Sequence, residues 1–249
     1  MRAVTLFTSI LLIFFFTQSS AQNAEQIIDR YLERVGGEEM LKNIKGMTMT
    51  GTFLQSGLEI PIKQVIMTDG RQYLEMSFAG KQIKQQVYDG ETLWSENFST
   101  GKAEISDEEA TYNFRLNLND FPDALLNYEK KGYEVAFAGT VTKQGKETYK
   151  IRVKRENTKV DGEEKENIVC YFIDVESGLS IFQESEDGNK PETSTTSTLE
   201  YSNYQLVEGK YLMPFNVVQK VNGQEVFQLL ITKVELDPEV SDEEFKFPG

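Results

Sequence analysis

The chain of 249 residues contains no histidine and a single cysteine, and these two counts remove most enzyme chemistry. Without imidazole there is no Ser-His-Asp or Cys-His nucleophile and no His-containing zinc site. Cys170 has no partner for an intramolecular disulfide. It lies in Ile168-Val169-Cys170-Tyr171-Phe172-Ile173, which reads as a buried strand, so a buried structural thiol is expected there. Carboxylates are what remain. The clusters Asp107-Glu108-Glu109 and Asp242-Glu243-Glu244 lack the alternating oxygen ligands of a calcium loop and read as solvated helix ends or turns. No pair among the 40 acidic residues stands out as a general acid and base. Gly-x-Ser-x-Gly and phosphate-binding glycine loops are absent. Asn97-Phe98-Ser99 is a formal glycosylation sequon. The expectation is no catalytic residue, no cofactor and no metal.

The side chains that could act by binding are apolar. Trp94 is the only tryptophan and ends the strand pair around Tyr88-Asp-Gly-Glu-Thr-Leu-Trp94. With Phe53, Tyr73, Met76, Phe78 and Val87 it reads as the wall of a sheet interior, which is either a filled core or a ligand cavity. Methionine among such residues suits an adaptable apolar surface.

The elements that position these residues are mostly strands. Residues 23–45 are helical in pattern: Ile27, Ile28, Tyr31, Leu32 and Val35 share one face, Gly36-Gly37 signals a stop, and a short second helix carries Met40, Leu41 and Ile44. From Met47 the period becomes two, with Met47, Met49, Gly51 and Phe53 alternating with Thr48, Thr50 and Thr52. Strands are expected to fill residues 46–97 and 132–236, separated by turn glycines such as Ala79-Gly80, Asp161-Gly162 and Asn222-Gly223. Residues 105–131 break the pattern. Ser106 followed by Glu109 suggests a capping box, and Phe121 to Tyr128 reads as a further helix with Pro122 in its first turn. The polar segment Glu184 to Thr198 reads as a long hairpin loop. The expected fold is mainly β with some α. It is a single curved antiparallel sheet of about eleven strands, curled into an unclosed barrel with the helices across its concave face.

The N-terminus reads as a secretory signal peptide over residues 1–21: Arg2, an apolar run from Leu6 to Phe16, and Ser19-Ser20-Ala21 before a mature start at Gln22. The run is shorter than the ~20 apolar residues of a membrane span. Residues 22–249 are then expected to form one domain, soluble outside the cytoplasm in a bacterial periplasm. The 26 basic and 40 acidic residues become 25 and 40 once Arg2 is removed, a net charge of 25 − 40 = −15. That balance disfavours nucleic acid and anionic membrane surfaces.

Several segments carry a resemblance. They are the helix Ala24-Glu-Gln-Ile-Ile-Asp-Arg-Tyr-Leu-Glu-Arg-Val-Gly-Gly37, the Tyr88–Trp94 pair, Tyr201 to Phe215 with its Glu208-Gly-Lys-Tyr-Leu-Met-Pro, and the ending Val234 to Pro248. Together they resemble periplasmic outer membrane lipoprotein-sorting proteins, especially those of Bacteroidetes-type bacteria, similar in fold to the LolA and LolB carriers. The resemblance implies an unclosed barrel whose interior shelters the acyl chains of a lipoprotein or lipid, and a membrane donor or acceptor protein as partner. No cysteine follows the apolar run to carry an anchor, so the chain looks more like a LolA-type soluble shuttle than a LolB-type receptor. The carriers also use a basic residue on an early strand, and Arg71 occupies such a place. The expected ligand site is therefore Phe53, Tyr73, Met76, Phe78 and Trp94 lining a cavity, with Arg71 at its rim. An envelope sensor that binds stray lipid on the same scaffold is the alternative, and a carboxylate-only hydrolase a third reading.

Overall fold

The computed structural model describes residues 23–187 and 195–249. The expected signal peptide, Gln22 and the middle of the Glu184 to Thr198 segment lie outside the described residues. The first helix, α1 (residues 23–35), buries Ala24, Ile28, Tyr31, Leu32 and Val35, the face its periodicity marks. Gly36 and Gly37 end it with φ of 143° and 85°. At Gly36 a β-carbon would sit 2.6 Å from the Lys210 carbonyl oxygen, so the turn needs glycine for close approach as well as for its φ. A one-and-a-half-turn α2 (Glu38–Asn43) follows and buries Leu41.

Thirteen strands then make one sheet. The first six are β1 (Gly46–Gln55), β2 (Leu58–Met67), β3 (Gln72–Phe78), β4 (Lys81–Tyr88), β5 (Leu93–Glu96) and β6 (Ala103–Ile105). After α3 (Glu108–Leu118) come β7 (Glu134–Lys143), β8 (Lys146–Val160), β9 (Glu163–Asp174), β10 (Ser180–Asp187), β11 (Thr195–Val207), β12 (Tyr211–Val221) and β13 (Gln224–Leu236). The order is β6-β5-β4-β3-β2-β1-β13-β12-β11-β10-β9-β8-β7, antiparallel throughout, and the end strands β6 and β7 do not pair. The sheet is unclosed, as expected, with thirteen strands where about eleven were expected. The short β6 falls between the first expected strand run, which ends at residue 97, and the insertion expected from residue 105.

A single helix shows that the sheet curls. Arg115 of α3 donates from Nε to the Tyr88 hydroxyl on β4 at 2.8 Å, and Asn113 donates to the Lys159 carbonyl on β8 at 2.7 Å. β4 and β8 are nine steps apart in the sheet. In a flat sheet that is about 43 Å at ~4.8 Å per strand, whereas an 11-residue helix is only about 16 Å long. The sheet bends round until α3 straps its two arms together.

Register defines the two faces. Met47 and Met49 pack with α1, so they and their paired neighbours, Ile66 and Gln64 on β2 and Leu236 and Val234 on β13, mark the inner face. The main core fills the inner face from β7 to β1, beneath α1 and residues 121–133. Leu125 and Leu126 both enter this core. Residues 121–128 run as turns and not as the expected helix, and Asn127 at φ 53° lies in the left-handed region that interrupts a right-handed helix. The α3 cap is Asp107, one residue later than expected, accepting from the Ala110 amide at 2.7 Å. Glu109 reaches across to the amides of Asp161 and Gly162 at the β8–β9 turn. Cys170 is half-buried on the outer face beside Phe172, Ile181 and Phe182, less enclosed than its sequence suggests.

Beyond β13 the chain crosses to the outer face. Residues 237–249 lie over β2 to β5, with Phe245 fully buried against Val65, Tyr73, Val87 and Trp94.

Candidate functional site

Two pockets open on the inner face under the end of α3. The first, about 270 Å³, is floored by Met47 and Met49 of β1, Ile66 of β2 and Met213 of β12, and roofed by Leu118, Phe121 and Pro122. The floor is inner-face alternation on three strands. The roof is the chain leaving α3, held by Tyr133 donating to Asp120 at 2.9 Å and Tyr31 of α1 donating to Asp123 at 2.6 Å. Methionine, with its unbranched flexible side chain, lines irregular space without fixing one shape.

The second pocket, about 250 Å³, is polar. Arg155, Asn167, Gln183, Ser185, Ser197 and Gln219 line it on β8 to β12, with Val169 and Leu199 between them. Asn117, at the end of α3, borders both pockets. Between them Arg155 donates from Nη1 to Asp120 at 2.5 Å and from Nη2 to the Tyr171 hydroxyl. Its Nε is buried without an acceptor. Burial pulls the Arg155 guanidinium down, but Tyr171 and Asp120 outweigh it and leave the group firmly charged. Nearby, burial pushes the Asp123 carboxyl above its usual range despite the Tyr31 hydrogen bond, and burial lowers Lys131 despite the two aspartates. Burial likewise raises the hydroxyls of Tyr31, Tyr201 and Tyr211, which stay neutral donors.

The cover over these pockets is light. No side chain of α3 is fully buried, and most of its ties to the sheet are polar: Glu109, Asn113 and Tyr112 to the β8–β9 hairpin, Arg115 to Tyr88 and the Glu91 carbonyl, beside one ring contact of Phe114 with Tyr88 at 5.4 Å.

The structure divides the six residues singled out from the sequence. Phe53 is on the inner face, half-buried and stacked on Phe227 with ring centres 4.3 Å apart. Met76 shares that face in register with Ile62 and Ile83, and Phe78, at the end of β3, is exposed beside Phe98. Tyr73 and Trp94 are on the outer face under the C-terminal segment: Tyr73 packs on the Phe245 ring and Trp94 Nε1 donates to the Phe245 carbonyl at 3.0 Å. Arg71 is bound there too, donating to Asp69 at 2.9 Å and to Asp242, with its guanidinium over the Phe245 ring. None of the six borders either pocket. The physical reason is the strand period. Tyr73 and Met76 are three apart on one strand and must face opposite ways. The pocket residues were legible by the same rule, because Met47 and Met49 keep the parity of Phe53. Arg155 and the amides of the polar pocket gave no signal, since polar residues on β strands read as solvent-facing.

Among the described residues no helix is long and apolar enough to cross a membrane, and no cluster of three acidic or cysteine residues is placed to hold a metal. No family model matches the chain, and no curated protein matches it. Solved structures do. A putative outer membrane lipoprotein-sorting protein domain from Vibrio parahaemolyticus aligns at TM-score 0.56 and 10% identity, over 89% of this chain and 97% of that one. A LolA superfamily protein from Nitrosomonas europaea aligns at 0.54 and 12%, over 91% and 97%. A DUF1329 family protein from Desulfovibrio piger aligns at 0.55 and 11%, over 90% and 97%. At such identities the likeness is one of fold: the chain has the unclosed, helix-covered antiparallel sheet of LolA-like proteins.

Proposed function

We propose that this protein is a carrier of acylated ligands, lipid or lipoprotein, that works outside the cytoplasm and passes its cargo to or from a membrane partner without catalysis. The observation that carries the reading is the methionine-floored apolar pocket under a roof tied down by polar contacts. At about 270 Å³ it lies just under the ~300–1,000 Å³ of ordinary ligand sites. It holds the end of one chain as it stands, and more if α3 lifts. Each methylene that leaves water for such a site is worth about 0.8 kcal/mol before ordering costs. Because α3 buries no side chain fully, lifting it breaks polar ties and one ring contact but opens no packed core, which suits repeated loading and release. Hand-off then needs only a partner that prefers the open form. The fold shared with the lipoprotein-sorting domain supports the same reading, and so does the sequence pattern of a signal peptide over residues 1–21.

The test is a titration with a fluorescent fatty acid, displaced by a synthetic triacylated lipopeptide, together with native mass spectrometry of protein isolated from its own periplasm. Saturable binding, competition by the lipopeptide and co-isolated lipid are expected. Met49 borders the void and is half-buried, so Met49→Glu should leave the fold intact while putting a charge in the pocket. That variant should bind at least about tenfold more weakly. Wild-type protein that binds neither probe and carries no lipid overturns the proposal.

A further inference from the structure

The polar pocket beside the apolar one has a composition that says what it prefers. Resting on the carrier reading above, we infer that it is a headgroup site and that it selects acylated ligands with an uncharged, hydroxyl-rich head, a glyceride or a glycosyl group, over those with an anionic head.

Charge excludes the obvious alternative. A lone arginine at the base of a pocket would attract a carboxylate or phosphate. Here the guanidinium already faces Asp120 at 2.5 Å, and Asp120 is fixed in turn by Tyr133. The pair is net neutral, and an anionic head approaching Arg155 meets the Asp120 carboxylate beside it. The acidic residue on the lining itself, Glu184, is in register with Cys170 of the outer face and is paired with Lys143 at 2.9 Å.

Hydrogen-bonding capacity points to the positive choice. Asn167, Gln183, Gln219, Ser185 and Ser197 offer both donors and acceptors around the pocket. Of these, Gln219 donates to Ser197 at 3.1 Å and Gln183 accepts from Tyr201, so each keeps capacity to spare. Arg155 is on the same lining, and its buried Nε is a donor without an acceptor behind it. Alternating donors and acceptors with aliphatic ground between them, here Val169 and Leu199, suit a group that both donates and accepts and shows C–H surface, as a polyol does. Connection to the chain pocket comes through Asn117, which borders both. A chain seated on Met47 and Met49 can therefore place its head past Asn117 into the second pocket.

The test compares three ligands with the same twelve-carbon chain, each below its micelle concentration: monolaurin, dodecyl maltoside and laurate. Isothermal titration should show at least one uncharged ligand binding about tenfold or more tighter than laurate, the spread that a few added hydrogen bonds provide. Which of the two leads separates the glyceride from the glycosyl source. In the double variant Asn167→Leu/Gln219→Leu the advantage should collapse while laurate binding persists, with unchanged Trp94 emission confirming the fold. Laurate binding as tightly as both uncharged ligands in the wild type, or an advantage that survives the double variant, overturns the headgroup site and leaves the carrier reading standing. Failure of all three ligands to bind removes both.

Discussion

The two faces of the β1–β5 half of the sheet carry similar apolar residues and have opposite fates. On the inner face Met47, Met49 and Ile66 border a void. On the outer face Val65, Tyr73, Val87 and Trp94 close around Phe245. The difference lies in the cover. The outer face is sealed by residues 237–249, which insert a phenylalanine and anchor it with the Trp94 hydrogen bond and with the pairs Arg71–Asp242 and Lys84–Glu244. The inner face is spanned by α3, which buries no side chain fully, and by the turns after it, which sink Leu125 and Leu126 into the main core but leave space beneath Leu118, Phe121 and Pro122. In this half of the sheet the aromatic cluster of the outer face is closed by Phe245, whereas the methionines of the inner face border space.

The strongest way to break that contrast is to empty the outer cluster. Phe245→Ala removes a fully buried ring and leaves a cavity that the clamped segment cannot collapse into, at a cost of about 3–5 kcal/mol. Urea unfolding should show that loss as a lower midpoint with an unchanged slope. The inner face should answer differently. Met49→Ala trims a half-buried side chain beside an existing void and should cost about 1 kcal/mol or less, while weakening acyl binding. Equal stability losses in the two variants would mean that the inner face is as tightly packed as the outer one.

Much of this was legible in the sequence. Period-two segments with glycine turns gave one antiparallel sheet, and α1 buries the residues its periodicity selected. The Asn222-Gly223 turn has both residues at positive φ, the geometry its dipeptide suggests. What escaped was decided by tertiary partners. Trp94 and Tyr73 were assigned to the cavity because they are aromatic, but the ending that faces them is 151 residues from Trp94 in the chain. Arg71 reads as a rim cation only until Asp242 is seen against it. Residues 121–128 have a helical composition, yet the chain turns there and Asn127 takes a left-handed φ of 53°. The Arg155–Asp120 pair joins a strand to a turn 35 residues away, and no local pattern announces it.

The smallest expected effect tests the outer clamp by pH. Glu244 accepts from Lys84 Nζ at 2.7 Å, and that hydrogen bond, with the lysine's charge, holds its carboxyl below the usual value of 4.5. A depressed folded pKa stabilises the fold fully above the unfolded pKa. The contribution fades as pH falls from there through the folded value, because protonation is easier once the clamp is open. Glu244 is half-exposed, so the gain is modest and screened by salt. The consequence is local. Trp94 sits directly beneath the segment, so as pH drops below about 4.5 its emission should shift to the red ahead of global unfolding, as Phe245 loosens and water reaches the indole. In Glu244→Gln the early shift should shrink, because the amide keeps a hydrogen bond but has no charge to lose. Acyl ligands added at neutral pH should leave Trp94 emission unchanged, since they enter on the opposite face. A Trp94 response to ligand as large as its response to acid would show that the two faces are coupled through the sheet, and the separation of hollow inner face from sealed outer face would fail.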